Sequence, residues 1–364
     1  MRFRLFPLAA VLTVVACLPG LSGCASIGYY WQSVSGHLQV MNAARPVQDW
    51  LDESHTSDKL KARLELTQRI RSFAVSELHL PDNASYRSYA DLRRSAVVWN
   101  VTAAPALSLK LETWCFPVAG CVGYRGYFDE QQARAEASQL QAQGLDVHVY
   151  GVSAYSTLGF MNWAGGDPLL NTFLGYPEGD LARLLFHELA HQVAYAKDDT
   201  TFNESFATAV ERLGVARWLA AAGSEAARQD YAALELRRQQ WQALSRDTQA
   251  QLSQIYESKS NVALDSRAKL AMKTVAIEDF RKRYAELRAA WVASGINLNV
   301  AAYDRWVAQS NNASFGAQAA YDELVPGFEA LFEREGRNWP AFYDAVKKLA
   351  QMPKDQRHKI LSAS

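Results

Sequence analysis

Five consecutive residues set the terms for this chain: His187-Glu188-Leu189-Ala190-His191. A helix turns once in about 3.6 residues, so positions four apart share a face, and both imidazoles can reach one metal ion with Glu188 beside them. The flanking sequence supports a helix, because Leu181, Leu184, Leu185, Leu189, Val193 and Ala194 recur at helical spacing and would bury it. A buried His-Glu-His group with nothing to hold carries a desolvation cost, which favours a site built for a cation over a core histidine pair.

The chemistry of zinc explains the residue types. It accepts neutral imidazole nitrogens and carboxylate oxygens, and a catalytic site supplies three protein ligands and keeps a fourth position open for water. Glu204 is the expected third ligand. Asn203-Glu204 opens a second apolar, helix-forming run, Ser205 to Leu213, which can pack on the first helix and turn that carboxylate toward the metal. Its alternative role is a first-turn carboxylate that only favours the helix N-terminus. Glu188 is then the base that takes a proton from water and delivers it to the leaving amine.

His187 to Gln192, with Asn203-Glu204-Ser205-Phe206-Ala207-Thr208-Ala209-Val210-Glu211-Arg212-Leu213-Gly214, resembles the gluzincin signature of alanyl-type zinc aminopeptidases, written there HELAHQ and NEGFATxVExLG. Together with the N-terminal features below, the whole chain resembles a family of bacterial lipoproteins described as zinc aminopeptidases. The resemblance implies a zincin-like core, Zn2+ held by His187, His191 and Glu204, Glu188 as base, and a peptide substrate. One departure stands out: twelve residues separate His191 from Glu204, where the larger aminopeptidases have eighteen. Residues 196–201, with Asp198-Asp199, must therefore make a tighter turn.

At the start, Arg2 and Arg4 precede an apolar run from Leu5 to Leu18, followed by Leu21-Ser22-Gly23-Cys24. The run is short for a spanning helix and reads as a secretory signal. Leu-Ser-Gly-Cys resembles the bacterial lipobox, which implies cleavage before Cys24 and its lipidation; an ordinary signal peptide or a single anchor is the alternative. Ala25 and Ser26, with no Asp at that point, resemble outer-membrane cargo, so the expected location is the periplasmic side of the envelope. Gly28 to Ser35 is expected to hold the body off the membrane. Loss of Arg2 and Arg4 leaves 36 basic against 38 acidic residues, and no basic excess points to nucleic acid. With Cys17 removed and Cys24 lipidated, Cys115 and Cys121 remain to form a disulfide in an oxidising compartment; their spacing excludes a redox CxxC.

The expected class is α+β. Residues 1–23 are the signal, 24–95 an N-terminal helical region, 96–222 the catalytic core with its sheet and metal helices, and 223–364 a helical C-terminal region. Helices are expected over 34–54, 57–78, 129–143, 300–308, 317–335 and 339–349, with a further helical turn over 86–94. Residues 97–103, 108–115, 122–128 and 147–152 read as strands, and 154–159 as an edge that could pair with an extended peptide. Glu225–Glu257 and Asp265–Val292 read as a protruding helical hairpin, a surface that could meet a protein partner.

An aminopeptidase needs a carboxylate for the substrate's ammonium, and Asp167 and Glu211 are the candidates. Asn312 and Tyr321 are candidates for polar contact with substrate, Tyr321 as donor to the oxyanion, a role the larger aminopeptidases give to a tyrosine. These residues leave three readings: an aminopeptidase acting on short peptides, an envelope endopeptidase, or a non-enzymatic envelope binding protein with a structural metal.

Overall fold

The computed structural model describes residues 22–363 apart from 117–119, 160–161, 163–164, 258–263 and 295–299, with side chains from residue 28 on except 319–322. Residues 1–21 of the signal segment, the side chain of Cys24 and that of Tyr321 lie outside the described residues.

Helix α1 (Ser22–Ala43) stops ahead of Pro46, which sits in the short strand β1 (Arg45–Pro46); α2 (Val47–Asp52) and α3 (Asp58–Ser76) follow. Proline cannot continue a helix, so the single helix expected over 34–54 is split there. Ser57 caps α3 by accepting from the Leu60 amide. The helical turn expected over 86–94 is instead strand β2 (Ser88–Ala90), antiparallel to β1 and parallel to the later β8.

Next come β3 (Val98–Pro105), the hairpin β4 (Trp114–Phe116) and β5 (Gly120–Val122), then β6 (Arg125–Tyr127), α4 (Glu130–Ala142) and β7 (Leu145–Val152). The β6-β3-β7 sheet is antiparallel throughout. Cys115 lies opposite Cys121 across the hairpin and the two are disulfide-bonded. Closing so short a loop contributes about 2 kcal/mol by restricting the unfolded chain. Of the strand expected over 108–115 only the last part forms. Residues 154–157 carry no strand pairing, so the expected edge is an extended loop leaving β7.

The remainder is helical after β8 (Leu169–Leu170): α5 (Asn171–Leu174), α6 (Glu178–Ala190), α7 (Thr200–Ala221), α8 (Glu225–Glu257), α9 (Ser266–Ala293), α10 (Ala301–Ala308), α11 (Asn312–Asp322), α12 (Val325–Arg334), α13 (Trp339–Ala350) and α14 (Lys354–Ser362). The chain is thus α+β, mostly helical with small sheets. The single helix expected over 317–335 is two, α11 and α12, on either side of Leu324.

One apolar core joins Leu64 and Ile70 of α3 to Phe186 of α6, Phe206 of α7, Phe328 of α12 and Phe342 of α13. The two ends of the sequence therefore meet around α6 and α7. Gly214 makes their contact close, since a Cβ there would lie 2.9 Å from the Phe186 ring and 2.8 Å from Leu78. A second core, with Trp241, Phe280, Trp306 and Phe315, holds α8 and α9 against α10 and α11. Burying such side chains contributes about 1.5–3 kcal/mol each, which is why the hairpin lies packed where its charges suggested a protrusion. Lys273 also reaches back from α9 to Asp146 of β7 at 2.6 Å.

Candidate metal centre

Helix α6 supplies the first two residues of the site. Its inner face, Leu181, Leu185, Phe186 and Leu189, is fully buried, and this fixes the rotation that turns His187 and Glu188 into the cleft. His191 is the residue at which the helix ends, and the chain then turns through residues 192–199 to enter α7. That turn is held by side chains. Asn203 accepts from the Ala196 amide at 2.7 Å and donates to the Ala196 carbonyl at 2.8 Å. Asp198 has a left-handed backbone, φ +64°, and accepts from the Cys121 amide, joining the turn to the disulfide hairpin.

Asp199 caps α7 through the Phe202 amide and is itself buried, 1 % exposed. It receives Arg357 at 2.7 Å and His358 at 2.9 Å, both from α14. The C-terminal helix thus braces the turn between the second histidine and Glu204. With the turn fixed, Glu204 falls in the second turn of α7 and faces α6.

His187, His191 and Glu204 converge, each offering one ligand atom within 4.8 Å of the others. Their side chains are only 14 %, 8 % and 13 % exposed. The separations are 3.2 Å between the two Nε2 atoms, 3.3 Å from His187 Nε2 to Glu204 and 3.7 Å from His191 Nε2 to Glu204. A tetrahedral ion with ligand bonds of about 2.0–2.1 Å sets its donors about 3.3 Å apart, so the spacing fits zinc. The orientation fits too: His187 Nδ1 lies 3.0 Å from Glu211 Oε2, and donation there leaves the Nε2 lone pair facing the other two residues.

Electrostatics follow from burial and these contacts. Burial pulls His191 down to about 4 and keeps it neutral, the form a metal ligand needs. Burial would lower His187 as well, but hydrogen bonds that the ring donates to Glu204 and Glu211 outweigh it and hold the ring well above its ordinary value, so a metal at Nε2 would take the place of a proton. Burial opposes ionisation of Glu211, yet Arg183 and His187 bring it down to about 2. For Glu188 burial outweighs the opposing charge of His187 and pushes its carboxyl up to about 7.

Two cavities meet at this point. One of about 410 Å³ is lined by the trio, the β3 and β7 ends, the 154–158 loop and α1. The other, about 610 Å³, lies between α6 and the hairpin, with Tyr176, Trp241 and Tyr303 in its wall. His187 and Glu188 line both.

The remaining expected residues are placed differently. Glu211 lines the larger cavity, but its oxygens are occupied: Oε1 accepts from both Arg183 Nε and Nη2, and Oε2 faces His187. In that position it supports the His187 ring. Asp167 is 2 % exposed, and both its oxygens accept from the Thr157 amide, which pins the loop lining the smaller cavity. Asn312 is fully buried; it accepts from Tyr256 and donates to the Pro105 and Ala106 carbonyls, tying α11 to β3 away from the trio.

Three contributors escaped the sequence reading. Arg183 lies one turn before His187 on the same face, a spacing that could have singled it out. Asn203 as a turn clamp left no such signal. Tyr124 lines the smaller cavity, and its phenol is raised by burial and then by Glu204 and Glu188 nearby, so it stays protonated.

The carboxylate behind His187 yields a first prediction. Glu211→Gln should weaken zinc binding about 10- to 100-fold with the fold retained, read by competition with a chromogenic chelator, whereas Arg212→Gln should not. Equal affinity in Glu211→Gln and the parent would remove Glu211 from the site.

Compared with known proteins, residues 28–361 match the model of a family described as "Putative aminopeptidase". No curated protein and no solved structure matches the chain. The match covers nearly all of the described residues and takes in every member of the site above, and on that evidence the chain belongs to this aminopeptidase family.

Proposed function

We propose that the chain is a zinc-dependent peptidase, an aminopeptidase acting on short peptides, held by a lipid on Cys24 at the periplasmic face of the outer membrane. What supports this reading is the convergence of His187, His191 and Glu204 with Glu188 at the junction of two cavities, within a chain of the aminopeptidase family. Zinc held by the trio would supply Lewis acidity, polarising a carbonyl and making water ionisable near neutral pH. Glu188, half-buried and raised to about 7, takes the proton from the attacking water and returns it to the leaving amine. Tyr124, protonated beside both glutamates, donates to the developing oxyanion in the role first given to Tyr321.

The smaller cavity also speaks to the substrate. Its wall carries Tyr29, Phe116, Phe128 and Tyr155, and neither Lys nor Arg is among its described lining residues. A bulky apolar side chain beside the scissile bond fits that lining best.

A second reading, an endopeptidase, is favoured by one observation. Among the described residues lining the two cavities, Asp180 is paired with Arg238 and Glu211 with Arg183, and the other carboxylates are Glu188 and Glu204. None is left over for a substrate ammonium. One panel separates the readings: peptides beginning with Phe, Leu, Lys or Asp, each free or acetylated, against protein of measured zinc content. An aminopeptidase cleaves the free Phe and Leu peptides and stops on acetylation, while an endopeptidase continues. Tyr124→Phe should lower kcat in that assay with KM unchanged. Protein that binds no zinc and cleaves none of the panel would end both readings.

A further inference from the structure

Helix α1 was expected to begin as a spacer holding the body off the membrane; in the structure it is built into the body from Tyr29 onward. Tyr29 packs on Phe116 and Tyr127, with ring centroids 5.6 and 5.5 Å apart. Gln32 donates to the Gly126 carbonyl at 3.2 Å and accepts from the Phe128 amide at 3.1 Å. His37 meets the Tyr155 hydroxyl at 2.7 Å, and Val40 is 1 % exposed. These residues form one side of the helix.

The other side is apolar and bare. Tyr30, Trp31, Val34 and Leu38 are 43, 73, 56 and 51 % exposed. At about 100° per residue all four fall in one arc of about 100°, opposite the packed side, with Ser35, Gln39 and Asn42 on its flank. The 22 residues of α1 include no Asp, Glu, Lys or Arg. No helix among the described residues is long and apolar enough to cross a membrane, so such a stripe lies on a surface and does not span it.

What covers it follows from where it starts. Tyr30 is six residues beyond Cys24 on the same helix, about 9 Å at about 1.5 Å per residue, and Leu38 about 21 Å. A bilayer holding Cys24 by its acyl chains lies against this face unless the helix turns away. Trp and Tyr at the near end are the side chains that settle at the headgroup level. We propose that the Tyr30-Trp31-Val34-Leu38 face of α1 docks in the phospholipid interface, so that the same helix is a membrane contact on one side and a wall of the 410 Å³ cavity on the other. The substrate cavity then lies about one helix diameter, about 10 Å, from the lipid surface.

The proposal rests on Cys24 as the acylated residue, and two measurements keep the failures apart. The mass of the native chain extracted from the envelope reports acylation alone. Docking is read on the chain from residue 24 carrying Cys24→Ser, by flotation with phosphatidylcholine–phosphatidylethanolamine vesicles with and without phosphatidylglycerol. The protein should float, with little dependence on salt or on the anionic lipid because the face is uncharged. Trp31→Ser with Leu38→Gln should lower the partition coefficient at least about tenfold while zinc content and peptide hydrolysis stay at the parent level. Trp31→Phe should still float but lose the fluorescence quenching that brominated lipid produces in the parent. Absence of flotation, equal flotation of the double variant, or unchanged quenching in Trp31→Phe overturns the proposal. So does a concentration-dependent dimer that the double variant dissolves, which would assign the face to a second copy.

Discussion

Glu188→Gln should lower kcat for peptide hydrolysis by about 10²- to 10⁴-fold, leave zinc content unchanged and not lower the melting temperature. The size follows from what the carboxylate alone can do here. Gln has the same shape and packs against the same walls, but it cannot take a proton from water at neutral pH. Nothing described in the cavity replaces it, since Glu204 belongs to the trio and Glu211 is occupied by Arg183 and His187. Burial raises the Glu188 carboxyl to about 7, where an acid exchanges protons with water and an amine at comparable cost. Zinc should stay because Glu188 is outside the converging trio. The measurements are steady-state kinetics on a free Phe or Leu peptide and elemental analysis of the same sample. Unchanged kcat with full zinc would remove Glu188 as the base and revive the reading in which the metal is structural.

The residues that meet at the trio were legible in sequence because each sits in a local pattern. His187 and His191 are one helical turn apart, and Glu204 directly precedes an apolar run that declares its packing. The supporting residues were harder to read, for a physical reason. Glu211 was singled out as a carboxylate, but its partner Arg183 is 28 residues away, and only the packing of α6 on α7 brings it against His187. Asp199 shows the same limit on a longer scale. It was read as part of a turn, while Arg357 and His358, the groups that let it be buried, lie 158 and 159 residues on. The sheet around β3 was visible in its β-branched and aromatic residues; β2 was not, because a three-residue strand has too little pattern to rise above its neighbours. The hairpin's length was clear from composition, but whether it protrudes depends on Trp241 and Phe280 finding Trp306 and Phe315, which no local window contains.

Glu204→Gln should weaken zinc binding by more than about 100-fold, beyond the range for an outer partner such as Glu211, and abolish hydrolysis at submicromolar free zinc. It removes the one charge in the trio, leaving two neutral imidazoles for a doubly charged ion. The test separates a catalytic from a structural metal through stability. The α6–α7 turn is held without an ion by Asn203 on Ala196, by Asp198 on Cys121, and by Arg357 and His358 on Asp199. Chelated parent protein should therefore remain folded and recover activity when zinc returns. Binding adds stability by mass action alone, about 2.7 kcal/mol at a free concentration one hundred times Kd. Glu204→Gln should show no such gain at that concentration, yet match the chelated parent in circular dichroism. If chelation unfolded the parent instead, the ion would be holding the turn together, and the contacts that brace Asp199 and Ala196 would have to be weaker than their burial and geometry require.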